Sequence, residues 1–499
     1  VTVHSGGRTT IGKMDLYRKG AFILEAKQGS DAGALKLGTA RRGTSSWAVE
    51  MERAFGQAIA YAQTLDDRPP FLIVCDIGYC FDLYASFDGS PYRPFPDARN
   101  RRLFLSDLPT FVGLLRQVWS DPRSLDPSLR KARVTRTIAG HLAELAQQLE
   151  RRGHDAQRVA KFLMRCLFTM FAEDAGLLPP DVFKDALEKH WRTHPDRFAP
   201  ELESLWLHMD RGGYQFGLGK ILKFNGALFA EAQALPLERP ELDLLYRAAL
   251  CDWRDVEPAI FGTLLEQALD PTERHALGAD YTPRPYVERL VRPTVEEPLR
   301  AEWEAIRAAA VAWVGQGKEA QARETVGAFH LRLCELRVLD PACGTGNFLY
   351  VALDLLKRLE GEVLELLQDL GDTQAVFGRR VGPRQFLGIE KKPWAREIAD
   401  LVLWVGYLSA QLRNLGKGRQ IAEPVLEKLD NIQCRDAVLT WTSEEPLLDA
   451  QGQPLSRWDG VTTKKHPITG EDVPDDSARV PLTRLIDPDQ VADTGIGSE

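Results

Sequence analysis

The chain has 499 residues, which at roughly 150 residues per domain corresponds to about three domains. Hydrophobic residues make up 44% and charged residues 27% of the chain, a composition that is typical of globular protein and excludes wholesale disorder or a collagen-like repeat. The formal net charge of −8 excludes a uniformly basic coat for nucleic acid, but cations gathered on one surface can still bind a polyanion.

The first 125 residues alternate short apolar runs with a helical stretch. Residues 21–24 and 71–74 have the composition of buried strands, and residues 47–63 between them have helical periodicity. We therefore predict an α/β domain over residues 1–125.

Two acids and a lysine in this first segment have a spacing that suits metal-dependent chemistry. Glu25 and Lys27 lie two residues apart on the first predicted strand, so they share one face, and Asp15 on the preceding strand can stand beside them. Two carboxylates can bind Mg²⁺ through oxygen atoms while a lysine positions or activates the attacking water. Asp15 and Glu25 are the candidate metal ligands, and all three residues are candidate catalytic groups.

Residues 126–250 are dominated by helical periodicity, for example in the spacing of Ile138, Leu142 and Leu145, and we predict an all-α connector. Residues 130–165 carry nine Lys or Arg against three Asp or Glu, a local excess of six positive charges. Two interpretations of this basic run stay open: it follows DNA phosphates, or it is a solvated helix face.

Strand and helix patterns alternate again over residues 251–440. A long helix is predicted over residues 297–333 and a buried strand over residues 337–339. The chain then turns through Gly344 and Gly346 into another helix. Glycines let the backbone turn sharply and approach a ligand closely, and the new helix presents free N–H groups at its start.

The segment Asp340-Pro-Ala-Cys-Gly-Thr-Gly-Asn-Phe348 forms this turn, and it resembles the S-adenosylmethionine (SAM) motif of DNA adenine-N6 methyltransferases of the gamma-ordered group. The resemblance implies a Rossmann-like class I fold, and SAM as cofactor. The acid at the strand end would meet the ammonium group of the cofactor. The cofactor-binding residues implied within the motif are Asp340, Pro341, Ala342, Gly344, Gly346, Asn347 and Phe348.

Three further segments resemble the same family in order and position. Ala279-Asp-Tyr-Thr-Pro283 resembles the loop that covers the methionine part of SAM, which implies contacts by Tyr281, Thr282 and Pro283. Phe386-Leu-Gly-Ile-Glu390 resembles the second strand, with Glu390 on the ribose hydroxyls. Asn431-Ile-Gln-Cys-Arg-Asp436 resembles the end of the third strand, with Asp436 on the adenine amino group.

The sequence departs from the family pattern in two places. Asp280 stands where the family often has His. The fifty residues from Asp340 to Glu390 exceed the roughly twenty of a compact dinucleotide fold. We therefore expect a helix extension or an insertion between them.

Asp15, Glu25 and Lys27 form an Asp-x9-Glu-x-Lys pattern that resembles the PD-(D/E)xK nucleases, and Gln57-Ala-Ile-Ala-Tyr61 resembles a downstream helix motif of that class. The order of nuclease, helical spacer and gamma methyltransferase resembles the single-chain type IIG/IIL restriction–modification enzymes, the MmeI-like group. Phage-defence methylases of the DISARM kind are the close alternative. The resemblance covers about residues 10–440.

The resulting expectation is an α/β multidomain protein. It comprises a PD-(D/E)xK-like nuclease domain at 1–125 that is incomplete at its N-terminus, an all-α helical connector at 126–250, a partial SAM-binding methyltransferase core at 251–440 and an irregular loop or tail at 441–499. The intact parent would transfer a methyl group from SAM to adenine N6 in a specific double-stranded DNA site and cleave DNA with Mg²⁺.

The 499 residues contain no Asn/Asp-Pro-Pro-Tyr/Phe segment, the loop that holds a flipped adenine in this family. We therefore expect a piece of a longer protein that binds SAM but does not methylate. Two alternatives stay open. One is a defence methyltransferase with an inactive nuclease-like domain and possible defence-system partner proteins. The other is a SAM-sensing, DNA-binding scaffold without chemistry.

The cysteine pattern and the hydropathy bear on location. Seven scattered cysteines never form a Cys-x-x-Cys pair, which favours a reduced cytoplasmic chain without a zinc site. No uncharged apolar run of 18 residues occurs, so we expect no membrane partner.

Overall fold

The fold is taken from a computed structural model. It describes residues 2–5, 8–11, 13–31, 40–87, 91–98, 100–215, 219–224, 227–260, 262, 282, 284–372, 379–414, 430–440, 443–449, 451–458, 463–465, 472–475, 477, 479–486 and 489–490. Within these ranges, every helix is too short or too polar to cross a lipid bilayer.

A mixed β-sheet with two helices forms the N-terminal part. Its elements are β1 (Thr2–Ser5), β2 (Arg8–Ile11), β3 (Leu16–Arg18), β4 (Phe22–Lys27), α1 (Ser45–Gln63), β5 (Phe71–Asp76), β6 (Cys80–Ala85), β7 (Arg93–Pro94), β8 (Arg102–Phe104) and α2 (Leu108–Ser120). The sheet has the order β3-β4-β5-β6-β7, and β8 also pairs with β6. The predicted strands and helix are confirmed as β4, β5 and α1.

Helix α1 connects two neighbouring strands of this sheet that run in the same direction. β4 and β5 are parallel and pair Glu25 with Val74 and Lys27 with Asp76, whereas the other pairings of the sheet are antiparallel. A parallel pair requires a crossover connection, which α1 supplies. The helix buries Met51, Phe55 and neighbouring apolar residues against the sheet. The carboxyl end of β4 is thereby placed beside one face of α1.

The connector is mostly helical. Its elements are α3 (Pro127–Arg151), α4 (Ala156–Asp174), α5 (Val182–Ala186), a π-helical turn (Leu187–Trp191), α6 (Phe198–Arg211), β9 (Gly213–Gln215), β10 (Gly219–Ile221) and α7 (Arg239–Ala249). The expectation of an all-α connector is wrong in one place, because β9 and β10 form an antiparallel hairpin. Gly212 and Gly213 have φ values of 70° and 127°, which end α6 and redirect the chain into this hairpin.

The third part contains a parallel sheet between helices. Its elements are α8 (Arg284–Val291), a π-helical turn (Arg292–Glu296), α9 (Glu297–Gly315), α10 (Glu319–Glu335), β11 (Val338–Asp340), α11 (Asn347–Asp369), β12 (Phe386–Glu390), α12 (Pro393–Asn414) and β13 (Ile432–Cys434). The strand order is β11-β12-β13, all parallel. The expected helix extension between Asp340 and Glu390 is confirmed, because α11 alone is 23 residues long.

The single helix predicted over residues 297–333 is wrong, because α9 and α10 are separate. Gly317 has a φ of 74°, and its N–H and that of Lys318 bond back to the carbonyl oxygens of Val314 and Trp313. This is a glycine-terminated helix end, in which the left-handed residue stops the helix.

The tail was expected to be irregular, and this expectation is wrong for its described residues. Its short strands are β14 (Leu439–Thr440), β15 (Ser443–Pro446), β16 (Ser456–Trp458), β17 (Thr463–Lys465), β18 (Asp472–Pro474), β19 (Arg479–Pro481), β20 (Thr483–Ile486) and β21 (Asp489–Gln490). They pair from the outside inwards as four separate two-stranded antiparallel sheets, β14 with β21, β15 with β20, β16 with β19 and β17 with β18. Most of the strand residues whose burial the structure describes are exposed, so no apolar alternation marks the strands in the sequence.

Buried ion pairs join the N-terminal part to the third part. Nε of Arg101 lies 2.7 Å from Oε1 of Glu365 on α11, and Nη2 lies 3.8 Å from Oδ2 of Asp369. Nε of Arg307 on α9 lies 3.6 Å from Oε2 of Glu52 on α1. Burial raises the pKa of Glu365 to about 8 despite its arginine partner. We call these five residues the interdomain ion network.

Candidate cofactor and nuclease sites

The turn after β11 has a backbone shape that requires glycine. Gly344 and Gly346 have φ values of 53° and 79°, in the left-handed region. The N–H of Gly346 donates to the carbonyl oxygen of Cys343 over 2.8 Å. A β-carbon on Gly346 would lie 3.0 Å from Cα and Cβ of Ala399 on α12, so the turn also needs glycine for space. The predicted turn from strand to helix is confirmed, and α11 begins at Asn347.

Two predicted cofactor-binding acids stand at the carboxyl ends of neighbouring parallel strands. Oδ1 of Asp340 accepts from the N–H of Ala342 over 3.1 Å, and Oε2 of Glu390 accepts from the N–H of Gly344 over 3.0 Å. Burial, together with the negative charge of Glu390, raises the pKa of Asp340. Ligands of open parallel sheets bind at this edge.

The third acid follows β13, the next strand of the sheet. Oδ1 of Asp436 accepts from the N–H groups of Val438 and Leu439 over 2.8 and 3.1 Å, which lowers the pKa of Asp436. Oδ2 lies 3.6 Å from Nζ of Lys391. The fold thus brings Asp340, Glu390 and Asp436 to the ends of three adjacent parallel strands.

The start of α11 contacts the one described residue of the Tyr-Thr-Pro segment. Nδ2 of Asn347 donates to the carbonyl oxygen of Thr282 over 2.6 Å. Oδ1 of Asn347 is buried and has no hydrogen-bond partner among the described residues. Tyr281 and Pro283 lie outside the described residues, so their contacts with the cofactor stay predictions.

The remaining residues of the motif have different surroundings. Pro341 and Ala342 form the exposed outer part of the turn, and Phe348 is half-buried against the main core cluster. A β-carbon on Gly388 in β12 would lie 2.7 Å from Sγ of Cys343, so the turn sits tightly on the central strand. Cofactor contacts by these residues stay predictions.

An arginine that the sequence reasoning missed anchors the Tyr-Thr-Pro segment. Arg284, the first residue of α8, donates from Nη1 to Oε1 of Glu257, from Nη2 to Oδ2 of Asp354 and from Nε to Oε1 of Glu288, each over 2.7 Å. Nη1 also lies 3.3 Å from the hydroxyl of Tyr350 on α11. Arg284 therefore ties the residues after Pro283 to the helix that starts at the cofactor turn. The feature of the sequence that points to Arg284 is its position directly after the Tyr-Thr-Pro segment.

A second constellation lies at the carboxyl end of β4. Oδ2 of Asp15 accepts from the N–H of Ala26 over 2.8 Å, and Nζ of Lys27 lies 2.9 Å from Oε1 of Glu25. The side chain of Glu25 is only 3% exposed. Burial raises the pKa of Glu25, and the nearby negative charge of Asp15 raises it further. The fold thus brings the three predicted nuclease residues together.

Two residues of α1 extend this constellation. Nζ of Lys27 donates to Oε1 of Gln57 over 3.3 Å, and Nε2 of Gln57 donates to the hydroxyl of Tyr61 over 2.8 Å. Residues four apart share one helix face, and this face of α1 lies against β4. Both residues belong to the Gln57-to-Tyr61 motif, but neither was counted as a site residue from the sequence.

The donor set of this constellation fits a hard divalent cation. Oε2 of Glu25 is buried and has no hydrogen-bond partner among the described residues. A buried carboxylate oxygen without a donor is costly unless a cation or a proton satisfies it. The carboxylates of Asp15 and Glu25 could hold Mg²⁺, with Lys27 beside them.

Three family models match successive parts of the chain. They describe the N-terminal domain of MmeI over residues 2–152, its helicase spacer domain over residues 157–229 and its DNA-methyltransferase domain over residues 316–454. The solved structure of the type IIL restriction–modification enzyme MmeI in complex with DNA is also similar, with 25% identity and a TM-score of 0.50. That match covers 60% of this chain and 40% of the solved chain.

Two curated relatives are similar over part of their length. DNA methyltransferase A of Bacillus subtilis (strain 168) is 25% identical over 299 residues, covering 58% of this chain and 32% of that protein. A protein of Methanocaldococcus jannaschii, whose name describes a type II restriction enzyme and methyltransferase, is 26% identical over 339 residues, with 58% and 28% covered. The chain therefore spans about a third of the length of these relatives.

Proposed function

Because this chain belongs to the family of MmeI-like restriction–modification enzymes, we propose that it binds SAM at the turn after β11 as the cofactor-binding part of a DNA adenine-N6 methyltransferase. The observation that carries the proposal is the placement of three acids at the ends of β11, β12 and β13, beside a turn whose two glycines have left-handed φ values. We infer a Rossmann-like methyltransferase core from this arrangement.

Each acid has a distinct role in this proposal. Asp340 accepts from the ammonium group of the cofactor. Glu390 already accepts from the N–H groups of Gly344 and Lys392, and a carboxylate has about four acceptor sites, so two remain for the ribose hydroxyls. Asp436 uses Oδ1 for its own backbone and pairs Oδ2 with Lys391 at 3.6 Å, and the second acceptor position of Oδ2 would take the adenine amino group. SAM supplies the activated methyl group.

The contact between Asn347 and Thr282 supports a further part of the proposal. It brings the Tyr-Thr-Pro segment to the first turn of α11, where Tyr281 would cover the methionine end of SAM. We also propose that this polypeptide binds the cofactor without methylating DNA, since its 499 residues lack an Asn/Asp-Pro-Pro-Tyr/Phe segment to hold a flipped adenine.

Calorimetry with SAM tests the cofactor site directly. We expect saturable binding by the wild-type chain and a large loss of affinity in Glu390→Ala. Glu397→Ala is the matched control, because that side chain is on α12 and pairs with Lys161 at the surface. A folded wild-type chain that releases no heat with SAM contradicts the proposal.

We propose that the N-terminal part cleaves DNA with Mg²⁺ held by Asp15 and Glu25. Oε2 of Glu25 is buried and has no hydrogen-bond partner in the described part of the chain, which supports this role, and a PD-(D/E)xK-like fold is consistent with the strand order around β4. Lys27 would position or activate the attacking water. We expect Mg²⁺-dependent nicking of plasmid DNA that is lost in Lys27→Ala. An inert wild type would favour the alternative, a methyltransferase whose nuclease-like domain is inactive.

Double-stranded DNA is the proposed partner, and part of the basic run in the connector is available to bind it. Arg152 and Arg165 are used inside the protein, because Arg152 pairs with Glu241 at 2.6 Å and Arg165 donates to the carbonyl oxygen of Leu228 over 2.7 Å. The side chains of Arg133 and Arg136, one helical turn apart on α3, are exposed. We propose phosphate contacts by these two, tested by the salt dependence of DNA binding in Arg133→Gln and Arg136→Gln.

A further inference from the structure

Three metal-ligating side chains meet between α10 and α11, away from both proposed sites. His330 and Cys334 are four residues apart on α10, so they share one helix face, and Glu360 on α11 lies opposite. Nε2 of His330 lies 3.3 Å from Oε1 of Glu360 and 3.7 Å from Sγ of Cys334. One ligand atom from each residue lies within 4.8 Å of the other two.

The two shorter separations, from Nε2 of His330 to Oε1 of Glu360 and to Sγ of Cys334, are close to those of a tetrahedral metal site. Zinc bonds of about 2.0–2.3 Å place neighbouring ligand atoms roughly 3.3–3.6 Å apart. We propose that His330, Cys334 and Glu360 bind one divalent transition-metal ion of the zinc class, with water as the fourth ligand. A set of imidazole, thiolate and carboxylate suits zinc, whereas Mg²⁺ and Ca²⁺ require oxygen ligands.

The surroundings of Glu360 support its role as a ligand. Glu360 is fully buried, the N–H of Val381 donates to its Oε1 over 2.8 Å, and Lys357 donates to its Oε2. A carboxylate oxygen can accept twice, so Oε1 can bind the metal while keeping Val381. Lys357 stays on the other oxygen and holds the carboxylate in place, as outer hydrogen bonds do in metal sites.

A metal ion can reach this site past Cys334, and its binding displaces the thiol proton. Cys334 is half-buried, whereas His330 and Glu360 are buried, so an ion would enter past the thiol. On binding, the metal–sulfur bond replaces the S–H bond, and the proton leaves to solvent. The absence of a Cys-x-x-Cys pair favoured a chain without a zinc site, and this proposal departs from that expectation. Here the ligands come from two helices.

The proposed metal site lies on the two helices that flank β11 and the cofactor turn. Helix α10 leads into β11, which ends at Asp340, and α11 begins directly after the cofactor turn. A metal between the two helices would fix the elements on either side of that turn. This proposal does not depend on SAM binding.

Cobalt(II) titration of the metal-free full chain tests the proposal. We expect one ion per chain, a sulfur-to-cobalt charge-transfer band, and an increase in Tm when zinc replaces cobalt. Cys334→Ser should abolish the band and His330→Gln should weaken binding at least tenfold. Cys251→Ser is the matched control, because Cys251 is also a half-buried free cysteine.

The wild-type measurement decides the question even if a variant fails to fold. A folded chain without a charge-transfer band, and without zinc by mass spectrometry at stoichiometric addition, overturns the proposal and leaves a purely hydrogen-bonded His330–Glu360 pair. A band that survives Cys334→Ser overturns it as well.

Discussion

The N–H of Gly344 donates to Oε2 of Glu390 over 3.0 Å, which ties the turn after β11 to the end of β12. The carboxylate therefore shapes the turn from within the protein as well as offering acceptors to a ligand. Substitution of Glu390 is expected to loosen the turn and to remove ribose contacts at once, so its effect on SAM affinity will exceed that of one lost hydrogen bond.

Gly346→Ala tests whether the cofactor turn requires glycine for its backbone shape, because the substitution removes no functional side-chain group. A φ of 79° and 3.0 Å contacts with Ala399 oppose a β-carbon, so we expect a loss of at least about 2 kcal/mol in unfolding free energy and loss of SAM binding. Gly140→Ala on α3 has open space around it, so it should be neutral or stabilising by about 1 kcal/mol. Urea denaturation and calorimetry measure both. Equal stability of the two variants contradicts this account.

Arg284→Met should weaken both the fold and the cofactor site. It leaves the buried acids Glu257 and Asp354 without their shared cation, which is expected to cost about 3–5 kcal/mol. Because Arg284 anchors the residues after Tyr-Thr-Pro, SAM affinity should also fall at temperatures where the variant is folded. Arg289→Met, exposed on the same helix, should change neither quantity. Unchanged SAM affinity in folded Arg284→Met would restrict the role of this residue to stability.

Mg²⁺ binding should depend on the protonation of Glu25. Burial raises the pKa of this carboxyl, so it takes up a proton at a higher pH than an exposed glutamate, and Mg²⁺ affinity should fall as the pH decreases through that raised pKa. Titration calorimetry with Mg²⁺ at a series of pH values measures the effect. Glu25→Gln should bind weakly at every pH, whereas Asp31→Asn should behave as wild type. Pronounced acid-side loss of Mg²⁺ affinity in Glu25→Gln would point to another group.

The interdomain ion network should make stability depend on pH. The folded state holds the proton of Glu365 up to about pH 8, whereas an unfolded glutamate releases it near pH 4.3. The stabilising contribution is complete below about pH 4.3 and is lost as the pH rises through the window to about 8. Urea denaturation across this window should therefore show wild type losing stability relative to Glu365→Gln. Glu335→Gln, exposed on α10, should follow wild type. Identical pH slopes for wild type and Glu365→Gln would contradict the raised pKa.

Local patterns were sufficient to predict β4, β5, α1 and the cofactor turn, because each is encoded in a contiguous run of residues. The same holds for the separate positions of Asp340 and Glu390, which depend on one strand each. By contrast, Gln57 and Arg284 act through contacts with residues distant in the chain. No local period marks such contacts.

Two predictions from the sequence, the helix over residues 297–333 and the irregular tail, are wrong for physical reasons. The predicted helix over residues 297–333 has continuous helical composition, and the left-handed φ of Gly317 ends it. The tail has no strand pattern in its sequence because the described residues of its two-stranded sheets are mostly exposed, so pairing with distant residues, not burial, defines the strands. Tertiary pairing of this kind cannot be inferred from composition.

Helix α11 has 23 residues and a length of about 35 Å at 1.5 Å per residue. Its first residues directly follow the cofactor turn, and Glu365 and Asp369 near its other end pair with Arg101 of the N-terminal part. The length of α11 therefore contributes to the separation of the two proposed sites, and deleting one helical turn should displace the cofactor turn from the Arg101 contact by about 5.4 Å. The distance between the two proposed sites along bound DNA would then depend on the length of a single helix.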